Sequence, residues 1–60
     1  MLLRDWRVQQ GLTQKEACVR LDIPQNDLSR YETGETRPRG RRMHKILVGT
    51  AGAVTANDFY

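Results

Sequence analysis

The stretch TQKEACVRLDIPQNDLSRYETG, Thr13 to Gly34, decides the fold. Thr13 and Glu16 stand three apart. The threonine hydroxyl can accept from an orphan amide while the glutamate reaches back to the amide of Thr13, with Leu12 and Ala17 at the staple positions. A helix therefore starts at Thr13, and its inner positions are Ala17, Cys18 and Leu21. It stops at Leu21-Asp22-Ile23-Pro24, because aspartate tolerates a left-handed conformation and the residue before proline is pushed out of helix. Proline suits a first turn, so the next helix is read from Pro24 to Glu32, with Leu28 and Tyr31 inward and Thr33-Gly34 as its end. Two short helices joined by so tight a turn cross steeply. Ala17 and Cys18 supply the small contact, and Leu21, Ile23, Leu28 and Tyr31 pin it.

Working outward, Leu3 and Trp6 sit three apart with Leu2 adding width, which predicts an amphipathic first helix closed by Gly11. Met43, Ile46 and Leu47 follow helical spacing and predict a fourth. The stretch after it, GTAGAVT from Gly49 to Thr55, reads as small and flexible. Thr55 with Asp58 imitates a capping pair and Val54 with Phe59 a staple, so any fifth helix is a single turn before Tyr60. The expected fold is all-α: one compact domain over residues 1–60 with four to five helices and a helix-turn-helix over 13–32.

Sixty residues hold one cysteine, Cys18, and one histidine, His44. No internal disulfide can form, and a structural zinc site, which needs four ligands, is not available. Cys18 reads as a small core residue and Trp6 as core rather than a stacking platform. No nucleophile–base pair, paired catalytic carboxylates or glycine-rich phosphate loop stands out, so neither an enzyme nor a cofactor is expected. No apolar run approaches the ~18 residues of a membrane span, and no leader is evident, so the expected location is cytoplasmic and nucleoid-associated.

The net charge is +3 with a sequence pI near 9.6. Residues 1–35 hold five cations against six acids, whereas 36–47 hold Arg37, Arg39, Arg41, Arg42 and Lys45 with no acid. A clustered basic patch of this kind is the electrostatic footprint of a phosphate binder. In a helix-turn-helix the second helix, here 24–32, lays its outer face in the DNA major groove, which accounts for its polarity.

The sequence resembles the lambda-repressor-like, Cro-type (XRE) helix-turn-helix family from Leu3 to Leu47. The resemblance rests on LRDWR, then GLTQKEA, then LDIPQNDLSRYETG, then a proline four residues past that glycine. It implies a DNA-binding domain with the second and third helices as the reading unit. It further implies that Gln14 touches phosphate and steadies the recognition helix, that Gln25, Asn26, Asp27 and Ser29 lie on its base-facing side, and that Arg7 and Glu32 form a partly buried salt bridge. Two positions and one element depart from the pattern. Asp22 stands where many members have glycine, Pro24 replaces a capping Ser or Thr, and the fifth helix is nearly absent.

Chemically, Gln25 and Asn26 can each grip adenine N6 and N7, and Asp27 can accept from cytosine N4. Arg30 either touches phosphate or pairs with Asp27 at helical spacing. Arg37, Arg39, Arg41 and Arg42 flank the start of the fourth helix, where the resemblance implies that loop and amides face a phosphate strand. The expected function is sequence-specific binding of double-stranded operator DNA by a small Cro- or repressor-like regulator of phage or prophage type. It would act as a homodimer, assembled if need be on the DNA. Its dimer surface is expected at Val54, Phe59 and Tyr60, unless Phe59 and Tyr60 fold back onto the first helix. The alternative is a protein-binding module, an antitoxin or antiactivator that holds a partner protein; the acidic balance of residues 1–35 is its best support.

Overall fold

A computed structural model describes residues 1–59; Tyr60, part of the expected dimer surface, lies outside the described residues. Four helices follow one another, α1 (Leu3–Gln9), α2 (Gln14–Leu21), α3 (Gln25–Thr33) and α4 (Gly40–Gly49), and a single 3-10 turn at Ala56–Phe59 closes the chain. No strand occurs among the described residues.

The start of α2 is the capping box that the sequence spells. Thr13 Oγ1 accepts from the Glu16 amide at 3.2 Å, and Glu16 Oε1 accepts from the Thr13 amide at 2.9 Å. Asp22 ends the helix in the left-handed region, φ 57°, and the amide of Ile23 returns to the Cys18 carbonyl at 3.0 Å. Pro24 stands just outside α3 rather than in its first turn. It is extended, its carbonyl accepts from the Leu28 amide at 3.0 Å, and no side chain caps the helix. Proline loses nothing at that position, because its missing N–H would have had no helical partner.

α1, α2, α3 and α4 surround one core of Leu3, Trp6, Ala17, Cys18, Leu21, Ile23, Leu28, Ile46 and Val54. Leu28, the pin of α3, is wholly buried. Two expected core positions are not core: Leu2 is 55% exposed ahead of α1, and Leu47 is 41% exposed on α4. Leu2 is extended, so its side chain falls off the helical stripe. Ile46 and half-buried Met43 carry the inward face of α4 instead.

The stretch after α4, expected to be small and flexible, is a built corner. Thr50 is buried, with Oγ1 donating to the Ile46 carbonyl at 2.7 Å and accepting from the Val54 amide at 3.2 Å. Gly49 is where α4 meets α2: a Cβ there would stand 2.4 Å from Leu21 Cδ2. Smallness at this position is therefore close packing rather than slack. Thr55 and Asp58 pair as read, the Thr55 amide donating to Asp58 Oδ2 at 2.8 Å, and the Met1 ammonium donates to Asp58 Oδ1 at 3.0 Å. Phe59 sits edge-on to Tyr31 of α3, ring centroids 6.4 Å apart. Val54 is fully buried and Phe59 half-buried, so the apolar end expected as a free surface closes the core instead.

Candidate nucleic-acid interface

α3 is nine residues long, and its side chains sort by rotation about the axis. Leu28 marks the inward direction. At 100° per residue, Asn26 and Arg30 lie on the far side from it, and Gln25, Ser29 and Asp27 lie on the flanks. Gln25 and Asn26 are exposed, and neither side chain makes a hydrogen bond among the described residues. Ser29 is half-buried. Arg30 does not pair with Asp27. Its guanidinium lies 3.8 Å from the Glu35 carboxylate, with both side chains more than half exposed. The outward face of α3 thus carries Arg30 one turn beyond Asn26, a grouping that the i, i+4 spacing of the sequence already contained but that base-reading logic alone did not use.

A buried polar knot holds α3 in place. Arg7 of α1 donates from Nε to Glu32 Oε2 at 2.8 Å and from Nη2 to Oε1 at 3.1 Å, and its third nitrogen reaches the Leu12 carbonyl at 3.1 Å. The side chain of Glu32 is 4% exposed and that of Arg7 16%. Gln14, at the first position of α2, donates to the same Glu32 Oε1 at 3.4 Å. The pairing expected from the resemblance is present, and Gln14 is tied into it. One side chain on the rim of α2 is thereby braced against the helix it was expected to steady.

The basic stretch divides in two. Arg42 Nη1 donates to Asp27 Oδ2 and to the Tyr31 hydroxyl, both on α3. This raises the Arg42 pKa, chiefly through the Asp27 hydrogen bond. Lys45 donates to the Asp22 carboxylate at 2.9 Å and to the Asp22 carbonyl at 3.2 Å, which lowers the Asp22 pKa chiefly by that side-chain hydrogen bond. These two cations, three residues apart on α4, grip the turn before α3 and the first turn of α3. The side chains of Arg39 and Arg41 are exposed and make no hydrogen bond or ion pair among the described residues; Arg37 is exposed as well.

The start of α4 has no side-chain cap, no acid in its first turn, and Gly40 at φ 51° as its opening residue. A helix N-terminus carries partial positive charge from its orphan amides. Placing Arg39, Arg41 and Arg42 there adds like charge to it. An anion from outside relieves this arrangement, and phosphate at a helix N-terminus is the recurrent solution. The remaining reactive types are unpromising elsewhere. Cys18 is buried, and burial pushes its thiol pKa up; no cluster of three or more His, Cys, Asp or Glu occurs among the described residues. Among the described residues no helix is long and apolar enough to cross a membrane.

A family model described as "Helix-turn-helix domain" matches residues 1–55, and the chain belongs to that family. Within it, the chain is of the Cro-like (XRE) type that its sequence resembles. No curated protein and no solved structure matches the chain.

Proposed function

We propose that this protein is a small, non-catalytic transcription regulator of the Cro or repressor kind that binds double-stranded DNA in a sequence-specific manner, in the cytoplasm at the nucleoid. The observation that carries this reading is a division of labour between α3 and the start of α4, which Arg42 and Asp27 join. Neutral amide side chains on α3, Gln25 and Asn26, are exposed with no partner among the described residues, and α4 begins with exposed Arg39 and Arg41, whose side chains have no partner there either, on an uncapped, basic first turn. Amide side chains read adenine edges, and guanidiniums with free helix amides hold phosphate. In this reading α3 lies in the major groove, Arg39, Arg41 and the start of α4 sit on one strand's phosphates, and Gln14 touches the other.

The rival, a module that holds a partner protein, drew its support from the acidic balance of residues 1–35. Two of those acids, Asp22 and Asp27, are matched by Lys45 and Arg42, so the face is less acidic than the sequence count suggests. The DNA reading is favoured accordingly.

A homodimer on a near-palindromic site completes the proposal. One module of this size reaches a few base edges, each good bidentate contact giving about 1–3 kcal/mol of discrimination. About 10⁶–10⁹ competing sites demand more, and two copies on a two-fold axis supply it, recognition helices about 34–36 Å apart. Footprinting that shows one protected half-site at one-to-one stoichiometry removes the dimer from the proposal.

The decisive measurement is a salt titration of binding to random duplex DNA. The wild type is expected to lose affinity steeply with salt. A variant with Arg39 and Arg41 both changed to Gln is expected to bind all duplexes more weakly, with a log–log slope shallower by about 1–2. A slope that does not move rejects the phosphate role of the α4 start.

A further inference from the structure

Asp27 is the one acid in the first turn of the recognition helix, next in sequence to the base-facing Gln25 and Asn26. A bare carboxylate there would be repelled by the phosphates on either side of the groove. It is not bare: Arg42, from the first turn of α4, donates to its Oδ2 and anchors itself on the Tyr31 hydroxyl at 3.3 Å. Oδ1 has no partner among the described residues, and about a third of the Asp27 side chain, 33%, stays exposed. The result is a fixed, charge-neutralised acceptor at the edge of the reading face.

We propose that Arg42 is a positioning residue for base selection: it holds Asp27 so that the free carboxylate oxygen selects cytosine at one base pair of the site. This rests on the DNA-reading proposal above and adds to it the residue that makes an acid usable there. An ionised carboxylate only accepts hydrogen bonds. In the major groove guanine shows two acceptors, which repel it, and thymine one acceptor and a methyl, so neither base offers it a donor. Adenine offers its N6 amine beside the N7 acceptor, so half of its edge is hostile. Cytosine shows the N4 amine alone, and the neighbouring acceptor belongs to its guanine partner. The cation is needed in two ways. It removes the net charge that would keep the helix from the backbone, and it stops the carboxylate from turning away to other donors.

The test is selection of binding sites from a random duplex library, with the wild type and single variants compared base pair by base pair. The wild type is expected to enrich a motif with a cytosine preference at one position of each half-site. Asp27→Asn exchanges an acceptor for an amide that also donates, and the preference at that pair moves toward adenine. Arg42→Met is expected to reduce the cytosine preference about tenfold at the same pair and to leave the others in order. Arg42→Lys, which keeps a donating cation, retains most of it. If Arg42→Met weakens every sequence alike with an unchanged motif, Arg42 is a phosphate contact only and the assignment is overturned; a change at a different base pair from that of Asp27→Asn overturns it too. Should Arg42→Met fail to fold, Tyr31→Phe removes the second anchor of the guanidinium and must shift the same base pair by a smaller factor; no shift there overturns the assignment. A wild type that binds duplex DNA but enriches no motif brings down sequence reading itself, and this assignment with it, an outcome distinct from either variant result.

Discussion

α2 and α4 begin in opposite ways. α2 opens on a complete capping box, the Glu16 amide answered by the Thr13 hydroxyl and the Thr13 amide by the Glu16 carboxylate. α4 opens on a left-handed glycine, with no side-chain cap and no acid in its first turn, and with arginines on either side of Gly40. Local preference and electrostatics agree at the first and conflict at the second. Sequences that obey local rules throughout and break them at one place usually do so where the structure works on something outside itself. The start of α2 is built for the stability of the fold, and the start of α4 is where the proposed function places a phosphate.

The sharpest way to break that comparison is to damage the stabilising half. The Arg7–Glu32 pair ties α1 to α3 and takes in Gln14 from the capped end of α2. With Glu32 almost fully buried, Glu32→Gln leaves the Arg7 guanidinium without its counter-charge, and removing one partner of a buried pair costs about 3–5 kcal/mol. In a domain this small each kcal/mol moves the melting temperature by about 4–8 °C, so a fall of about 12 °C or more is expected in a thermal melt. By contrast Lys45–Asp22 is an open surface pair, with the aspartate side chain 87% exposed, and Asp22→Asn should barely shift the melt. An unmoved melting temperature for Glu32→Gln would place the stability of the helix-turn-helix elsewhere.

A smaller effect tests the two helix starts directly, and its sign should differ between them. Thr13→Ala removes a working cap and should destabilise by about 1 kcal/mol. Arg39 holds the N-cap position of α4 in an extended conformation, φ −136° and ψ 157°, the geometry in which a serine hydroxyl can reach back to the helix amides. Arg39→Ser should therefore stabilise the free protein by about 0.5–1 kcal/mol while it weakens DNA binding and lowers the salt slope by about one. A melt and a salt titration on the same preparation check both halves. If Arg39→Ser lowers the melting temperature, the α4 start is not an unsatisfied end and the comparison fails.

These positions also show what could be read in the residues. The α2 start, the left-handed Asp22 and the α3 end at Gly34 were legible, because capping residues, glycine and proline act on their own neighbours. The knot of Arg7 and Glu32 came from the resemblance, since nothing local joins residues 25 apart. Gly49 and Val54 were misread for a physical reason: small residues mark both slack chain and close approach, and only the partner, Leu21 against Gly49, tells which. The basic stretch was legible as a cluster but not as two clusters. Arg42 and Lys45 share a face because they are three apart, yet which acids that face meets depends on how α4 lies across α2 and α3. Arg30 was weighed against Asp27 by spacing alone, and Asp27 had a stronger suitor from another helix.

The smallest effect concerns acid. Glu16 carries the returning half of the capping box, and its pKa is lowered, first by the Thr13 backbone amide and next by the Thr13 hydroxyl. A carboxylate whose pKa is depressed in the folded state adds stability above its unfolded pKa and loses it as pH falls through the folded value. Asp22 and Asp58 are depressed as well, by Lys45 and by the Thr55 amide, so the whole protein should weaken in acid. Glu16→Gln isolates the one contribution: glutamine keeps an acceptor for the Thr13 amide but does not titrate, and the other two carboxylates cancel in the comparison. At neutral pH the wild type should melt slightly above Glu16→Gln. The gap should narrow as pH falls through the ordinary glutamate value of 4.5 and on through the lower folded value, and close once Glu16 is protonated in both folded and unfolded chains. The first turn of α4 has no acid to contribute such a dependence. A gap that stays constant from neutral to acid pH would mean that the Glu16 charge does nothing at the α2 start, and that its difference from α4 lies in the Thr13 hydroxyl alone.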